Sequence, residues 1–463
     1  MFPSKLFSGL LTDLYELTMA AGYVQNHFHA RATFELFVRH LPPNRNYLVA
    51  AGLEQALDFL ENVHFSAEEI SYIRDLPVFR HVHSGFFDYL ARFRFMGDVS
   101  ALPEGTIFFP GEPLLRVTAP IADAQLVETS LLSILHLQTL IASKAARVAR
   151  AAGGRSVVEF GSRRAHGIEA GVLAARAAFI GGCSGTSNAY AGHCFGIPVV
   201  GTQAHSWVMA HDDEVEAFGN FLDVFPEEAT LLVDTYDVRR AIDKIIALAR
   251  KPAGVRLDSG DLLADSVWTR QRLDSAGWND VQIFASGDLD ENLIETLLRA
   301  DAPIDAFGVG TALSTSADAP YVGVIYKLVE IELDRRTRGT AKFGVDKKTY
   351  PGRKQVFRFT NAEGNYSGDT IGLKDETFPT SEPLLIPVMH SGRRLEAVEQ
   401  DPKAAVRTAQ TRFVAGRARL PGHVPSLDVA DPPYPVSYSA RLEHLGEHPR
   451  HPSPRRRARK LEK

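Results

Sequence analysis

The sequence predicts an α/β protein centred on a (β/α) barrel, and two observations carry that expectation. Between about residues 120 and 328, short apolar runs alternate with amphipathic stretches at starts roughly 25 to 40 residues apart, as parallel strands joined by crossover helices do. Almost every one of those runs also ends in a polar or glycine-rich signature. Periodicity alone leaves open whether the sheet closes on itself. The 463 residues are 45% hydrophobic and 23% charged, enough to bury a sizeable core and to exclude global disorder.

Three zones follow in order. Residues 1–119 read as an N-terminal α+β domain. Leu14, Leu17, Thr18 and Ala21 form an apolar stripe at helical spacing, and Asp13 with Glu16 three residues later has the form of a capping box. Residues 32–37 and 114–117 look like strands, punctuated by Gly105, Pro110 and Gly111. Residues 120–328 form the barrel zone, with strands expected at 156–160, 198–201, 231–234, 255–258, 281–284 and 304–307, and helices at 238–250 and 289–300. Residues 329–428 are strand- and turn-rich, with the clearest strands at 326–333 and 355–360. This zone is expected to pack back on the first, since neither has a complete core alone. Gly and Pro punctuation from Pro421 onward marks the expected end of folded structure, leaving 429–463 as a disordered basic tail.

Charge and composition narrow the function classes. Lys plus Arg is 51 against 56 Asp plus Glu, a formal charge of −5. Residues 450–463 hold seven basic residues and one acidic, so the body carries −11 and no basic field for nucleic acid. No apolar run reaches the roughly 20 residues of a membrane span. The first twenty residues mix Lys5, Asp13 and Glu16 with apolar residues, so no signal peptide is expected. Two cysteines, Cys183 and Cys194, make a disulfide framework implausible and a reducing cytoplasm the expected location.

The chemistry is expected where strands of the barrel zone end, because a barrel gathers the carboxyl ends of its strands on one face. The signatures there are Gly161-Ser162-Arg163-Arg164, Gly201-Thr202-Gln203-Ala204-His205, Asp234-Thr235, Asp258-Ser259-Gly260-Asp261, Ser286-Gly287-Asp288 and Gly308-Val309-Gly310-Thr311. Glycine-rich turns let backbone N–H groups approach a phosphate, so Ser286-Gly287 and Gly308 to Thr311 suit a sugar 5-phosphate. Arg163 and Arg164 suit a diphosphate or carboxylate clamp. Arg256, between Val255 and Leu257, needs an anionic partner, either Asp258 and its neighbours or a ligand. His205 suits a general base or a nucleophile that accepts phosphate.

Leu11-Thr12-Asp13-Leu14-Tyr15, Glu159-Phe160-Gly161-Ser162-Arg163-Arg164, Gly201 to Ser206, Arg256-Leu257-Asp258-Ser259-Gly260-Asp261 and Phe307 to Thr311 together resemble the nicotinate phosphoribosyltransferases. The resemblance runs in matching order from about residue 10 to 330. It implies a type II phosphoribosyltransferase with an irregular α/β barrel and a second α+β domain built from both ends of the chain. It implies nicotinate and 5-phosphoribosyl 1-diphosphate as substrates, nicotinate mononucleotide and diphosphate as products, and a place in NAD salvage. An ATP-dependent ligase is implied, working through a phosphohistidine with Mg²⁺, as a homodimer whose subunits share their active sites.

Residue by residue, the resemblance makes His205 the phosphorylated histidine. Tyr15, reaching across the dimer, and Thr202 become nicotinate contacts, and Arg256 recognises the nicotinate side. Gly308, Gly310 and Thr311, with Ser286 and Gly287, become the 5-phosphate site. Arg163 and Arg164 become the phosphate or carboxylate clamp, their division of labour open, and Asp258 a contact to ribose hydroxyls or Mg²⁺. Related nicotinamide enzymes carry an aspartate after a Gly-Thr pair; here Ser187 follows Gly185-Thr186, and a hydroxyl donates to a carboxylate where an aspartate would repel it. Ser187 therefore favours nicotinate. No Walker sequence occurs, so ATP is expected to use the same mouth.

Two rival readings make different demands. A sugar-phosphate aldolase or isomerase predicts a lysine at a strand end, and the strand-end signatures contain none. A non-catalytic relative predicts loss of a key side chain, yet His205, Arg256 and Asp258 are all present.

Overall fold

In a computed structural model that describes residues 7–342 and 349–447, the barrel zone forms a six-stranded, all-parallel sheet. Its order is Gly185–Thr186, Ser156–Glu159, Ala306–Val309, Gln282–Ala285, Gly254–Leu257 and Thr230–Leu232. The strands are the short apolar runs, and their inward side chains (Val157, Leu231, Val255, Leu257, Ile283, Phe307) share one core with the surrounding helices. Three helices that follow strands start on aspartate N-caps. Asp237, Asp261 and Asp290 accept from the backbone N–H groups of Arg240, Ala264, and both Asn292 and Leu293.

The 198–201 run does not form the expected strand. Pro198 has no N–H to donate, and Val199 makes a single parallel bridge to Thr186. The segment nevertheless bonds to both edges of the sheet. Val200 N donates to Thr186 O at 2.9 Å on one side, and Gln203 N meets Thr230 O at 3.5 Å on the other. The side-chain oxygen of Gln203 also accepts from Leu232 N. An irregular loop thus stands where a regular barrel would carry a strand.

The second body is an antiparallel sheet of seven strands drawn from both halves of the chain. Its order is Arg336–Gly339, Val324–Leu333, Arg31–Val38, Pro113–Pro120, Asp98–Ala101, Ile386–His390 and Arg393–Arg394. Its core includes Phe34, Leu36, Val117, Tyr326 and Val388. The 24-residue helix Glu128–Ala151 contributes to both cores, Leu131 and Leu135 to this one and Ile141, Ala145 and Val148 to the other. No helix among the described residues is long and apolar enough to cross a membrane.

Two expectations are corrected. Asp13 does stand at the N-cap of the helix Leu14–Gln25, but no capping box forms. Its carboxylate accepts from Thr129 Oγ1 at 2.9 Å, and buried Glu16 accepts from Thr129 N, so both acids tie two helices together. The fold also does not end near residue 428. Val436–Tyr438 adds a parallel strand to Tyr366–Leu373, and the helix Ala440–Glu447 follows. Tyr434 stacks on Phe109 with centroids 3.9 Å apart, and its hydroxyl reaches Asp369. The most basic part of the expected tail, 448–463, lies outside the described residues.

Candidate active site

Strand alternation explains the arginine in an apolar run. Val255 and Leu257 are fully buried, so period-two geometry sends Arg256 to the other face. There its guanidinium is a four-way junction. Nε donates to Ser286 Oγ, Nη1 to Thr202 Oγ1 and Nη2 to Asp258 Oδ1, each at 2.7 Å, and the Phe160 ring lies 5.6 Å from its carbon. Three strand ends and the irregular loop that carries Thr202 meet at one side chain.

Asp258 is the next node. Its Oδ1 also accepts from Ser286 Oγ at 2.6 Å, while Oδ2 lies 3.6 Å from His205 Nε2. Burial pushes this carboxyl up, but the Ser286 hydroxyl, the Arg256 guanidinium and His205 outweigh it and hold it below the ordinary aspartate value. Asp258 is therefore an anion at neutral pH. The ring of His205, first residue of the helix His205–Met209, meets Thr235 Oγ1 through Nδ1 at 3.2 Å. That contact leaves Nε2 facing the carboxylate. Gly287 has φ +87°, and a Cβ there would sit 1.8 Å from Asp258 O, so the 286–288 turn lies directly on the Asp258 backbone.

A second pole adjoins the first through Phe160. Glu159 is fully buried and accepts from Gly161 N and from Thr186 Oγ1. Ser187 N donates to Glu159 O, and Asn188 Nδ2 to Ser162 Oγ at 3.0 Å, which fixes the 161–164 turn against the 186–188 loop. Burial raises the Glu159 carboxyl above its usual range, partly offset by the Thr186 and Gly161 bonds. On this turn Arg163 and Arg164 are exposed, and neither forms an ion pair among the described residues. With strands about 4.8 Å apart, the two poles lie within roughly 10–15 Å of each other.

The remaining expected residues fall in different places. Thr311 is exposed at the start of the helix Thr311–Ser314, and Gly310 is its N-cap. Gly308 is buried inside the Ala306–Val309 strand, where a Cβ would meet the Phe160 and Phe284 rings at 2.7–2.9 Å. It makes room for Phe160 and is not part of the turn itself. Ser187 is exposed beside the second pole. Tyr15 is 46% exposed on the first helix, and burial together with Glu128, Glu16 and Asp13 raises its hydroxyl. None of those neighbours belongs to the Arg256 cluster.

One acid was given no role from sequence. Asp234 Oδ2 accepts from Asp258 N at 3.1 Å and from Ser259 Oγ, while its Oδ1 is buried without a hydrogen-bond partner. No cluster of three or more His, Cys, Asp or Glu that could hold a metal exists among the described residues. An all-protein metal cage is therefore not on offer, but Mg²⁺ is commonly held by one or two carboxylates plus substrate phosphates. The unpartnered oxygen of Asp234 beside Asp258 fits that donor set.

The family comparison is decisive. The model for the nicotinate phosphoribosyltransferase N-terminal domain matches residues 10–136, and that for the nicotinate phosphoribosyltransferase family matches residues 155–355. The chain belongs to the nicotinate phosphoribosyltransferase family. Among its relatives, nicotinate phosphoribosyltransferase pncB2 of Mycobacterium tuberculosis is 46% identical over 456 residues, covering 96% of both chains. The nicotinate phosphoribosyltransferase of Bacillus subtilis is 44% identical over 79% of this chain and 76% of its own. The crystal structure of human nicotinic acid phosphoribosyltransferase superposes with a TM-score of 0.82 at 27% identity, covering 94% of this chain and 99% of that one.

Within this member of the nicotinate phosphoribosyltransferase family, the structure joins His205, Asp258, Arg256, Thr202, Ser286 and Gly287 in one cluster. Arg163, Arg164 and Ser187 sit at the adjoining pole, and Tyr15 stands apart. Sequence reasoning missed Glu159, Phe160 and Thr235 as organisers. Asp234-Thr235 was visible as a strand end, and the signal that could have promoted it is a carboxylate directly after the fully apolar run Leu231-Leu232-Val233.

Proposed function

We propose that the protein is a nicotinate phosphoribosyltransferase of cytoplasmic NAD salvage, joining nicotinate to 5-phosphoribosyl 1-diphosphate with coupled ATP hydrolysis. The observation that carries this reading is the Arg256–Asp258–His205 cluster, built from several strand ends in a chain of this family.

The nicotinate ring nitrogen attacks the anomeric carbon with its own lone pair, so no general base is required. The new N–C bond forms as the C–O bond to diphosphate breaks, and that electron pair leaves on the diphosphate. Positive charge builds on the ribose ring, as in other glycosyl transfers. The ionised carboxylate of Asp258 stabilises that charge. Arg163 and Arg164, in no ion pair among the described residues, receive the diphosphate. Gly287, Gly310 and Thr311 hold the 5-phosphate through N–H and hydroxyl donors, while Ser286, whose N–H and hydroxyl are bonded to Leu257 O and Asp258, fixes the turn that presents Gly287. Thr202, Ser187 and Arg256 orient nicotinate, and Tyr15 serves the site of a second copy in a homodimer. Asp234 and Asp258 would hold Mg²⁺, which when bound neutralises charge on the diphosphate.

His205 is left for energy coupling. In the neutral tautomer with its proton on Nδ1, facing Thr235 Oγ1, Nε2 carries a lone pair. Its bond to the γ-phosphorus of ATP forms as the β–γ bridging bond breaks, releasing ADP, and water later returns the phosphoryl group as phosphate.

The test is turnover by the purified protein with 5-phosphoribosyl 1-diphosphate, Mg²⁺ and either nicotinate or nicotinamide, with and without ATP. Formation of nicotinate mononucleotide and an acid-labile phosphate absent from His205→Ala support the reading. The H205A protein is expected to keep slow, ATP-independent transfer. Turnover with nicotinamide alone overturns the acid specificity. Mixing Tyr15→Ala with His205→Ala subunits tests the shared site: partial recovery of coupled turnover is expected, and none argues against it.

A further inference from the structure

Directly behind the two proposed 5-phosphate turns lies a buried charge cluster that the reaction itself does not use. Lys144, 1% exposed in the middle of the helix Glu128–Ala151, pairs with Glu291 and, at 2.7 Å, with Asp318 Oδ1. Arg147 Nε holds the other oxygen of Glu291 at 2.8 Å. Arg45 holds Asp318 through both Nη atoms, at 2.6 and 3.1 Å, and reaches Ser316 Oγ at 3.3 Å. Glu291 opens the helix that follows the Ser286-Gly287-Asp288 turn, and Asp318 lies in the loop after the helix that Gly310 and Thr311 begin.

Each segment holds one non-glycine residue in the left-handed region, Asp288 at φ +43° and Ser316 at φ +45°. Non-glycine residues in the left-handed region persist only where surrounding contacts over-determine them. A buried ion-pair network is a costly way to gain stability, since apolar side chains of similar volume commonly do as well. Its distinctive property is geometric: one ammonium group fixes two carboxylates from two separate segments at once. Three cations also share two carboxylates, leaving surplus positive charge behind a place where an anion is to bind.

We propose that Lys144 is a positioning residue that holds the 286–290 turn and the 310–318 segment in register, so that both close on the 5-phosphate of the sugar substrate. The inference rests on the proposed transferase reading for the identity of the ligand, and deepens it by naming what sets the phosphate site.

Lys144→Met severs the link without stranding a charge, because Glu291 keeps Arg147 and Asp318 keeps Arg45. Binding of ribose 5-phosphate, measured by calorimetry, is expected to weaken roughly tenfold to a hundredfold, by analogy with the roughly hundredfold cost of misplacing positioned groups by about 1 Å. KM for 5-phosphoribosyl 1-diphosphate is expected to rise with it, while KM for nicotinate and the melting temperature stay near wild type. Glu291→Gln and Asp318→Asn each loosen one loop, and their effects on ribose 5-phosphate binding are expected to be far from additive with that of K144M. If K144M does not fold, these two variants carry the test: each is expected to weaken ribose 5-phosphate binding, and wild-type binding in both overturns the inference.

A folded K144M that binds ribose 5-phosphate as tightly as wild type overturns the inference. So does equal weakening of both substrates, or a wild-type protein that does not bind ribose 5-phosphate. If wild type binds the sugar phosphate but forms no nicotinate mononucleotide, the transferase reading falls alone, and the calorimetric comparison still decides the role of Lys144.

Discussion

Replacing Arg256 with methionine keeps the apolar stem of the side chain and removes the fork on which three strand ends and the Thr202 loop converge. Its ion pair with Asp258 spans 2.7 Å between side chains 14% and 22% exposed. Removing one partner of a fully buried pair costs about 3–5 kcal/mol and of an exposed one about 0–1 kcal/mol, so about 2 kcal/mol is expected here. Losing the donors to Thr202 and Ser286, which water partly replaces, adds about 1 kcal/mol. The R256M protein should therefore unfold about 3 kcal/mol more easily in urea at pH 7.

The pH dependence of that deficit is specific. Asp258 titrates below the ordinary value in the folded state, so its stabilising contribution is complete above the unfolded pKa near 3.9 and disappears as pH falls through the folded one. Arg256 supplies part of that depression, so the gap between wild type and variant is widest at neutral pH and narrows on acidification through about pH 4. Activity should fall more steeply, with kcat/KM for nicotinate down by about a hundredfold, equivalent to about 2.7 kcal/mol of transition-state stabilisation. A stability gap below about 0.5 kcal/mol, a gap independent of pH, or kcat/KM within about threefold of wild type would refute the reasoning.

Gly287→Ala drives a Cβ against the Asp258 carbonyl oxygen at a left-handed φ; a loss of roughly 2–4 kcal/mol in chemical denaturation and near-complete loss of turnover are expected. Asp234→Asn keeps one side-chain oxygen to accept from Asp258 N and Ser259 Oγ, but replaces the unpartnered carboxylate oxygen with an amide nitrogen that cannot ligate a hard cation. The Mg²⁺ concentration for half-maximal activity should rise roughly tenfold in titrations at fixed substrate. Thr235→Val removes the oxygen facing His205 Nδ1, so labelling of His205 by ATP should slow roughly tenfold while ATP-independent transfer is retained.

The parts of this molecule legible in its sequence are those set by local pattern. Leu231-Leu232, Val255 to Leu257 and Ile283-Phe284 announce strands because a sheet covered by helices needs continuous apolar runs. Arg256 announces the site because a cation inside such a run demands a partner. What stayed hidden depends on residues far apart in the chain. Pro435 and Pro432 made the C-terminal stretch look unfolded, yet Tyr434 is fixed by Phe109 and Asp369. Glu159 looked like one more residue in a motif; only the approach of the Thr186 loop makes it the organiser of the second pole. Gly308 shared a motif with Gly310, but a strand position under two phenyl rings gives it a different task.

The strand Arg31–Val38 pairs on one side with Pro113–Pro120 and on the other with Val324–Leu333. During synthesis it therefore waits with one row of backbone donors and acceptors open until most of the chain has left the ribosome. Exposed edges of apolar strands are templates for pairing with other chains. A transcript cut short before residue 324, or translation slowed there, would leave that edge uncovered in a polypeptide that has already completed every strand of its parallel sheet. Premature termination in this protein is thus expected to yield aggregates and not a trimmed, working enzyme.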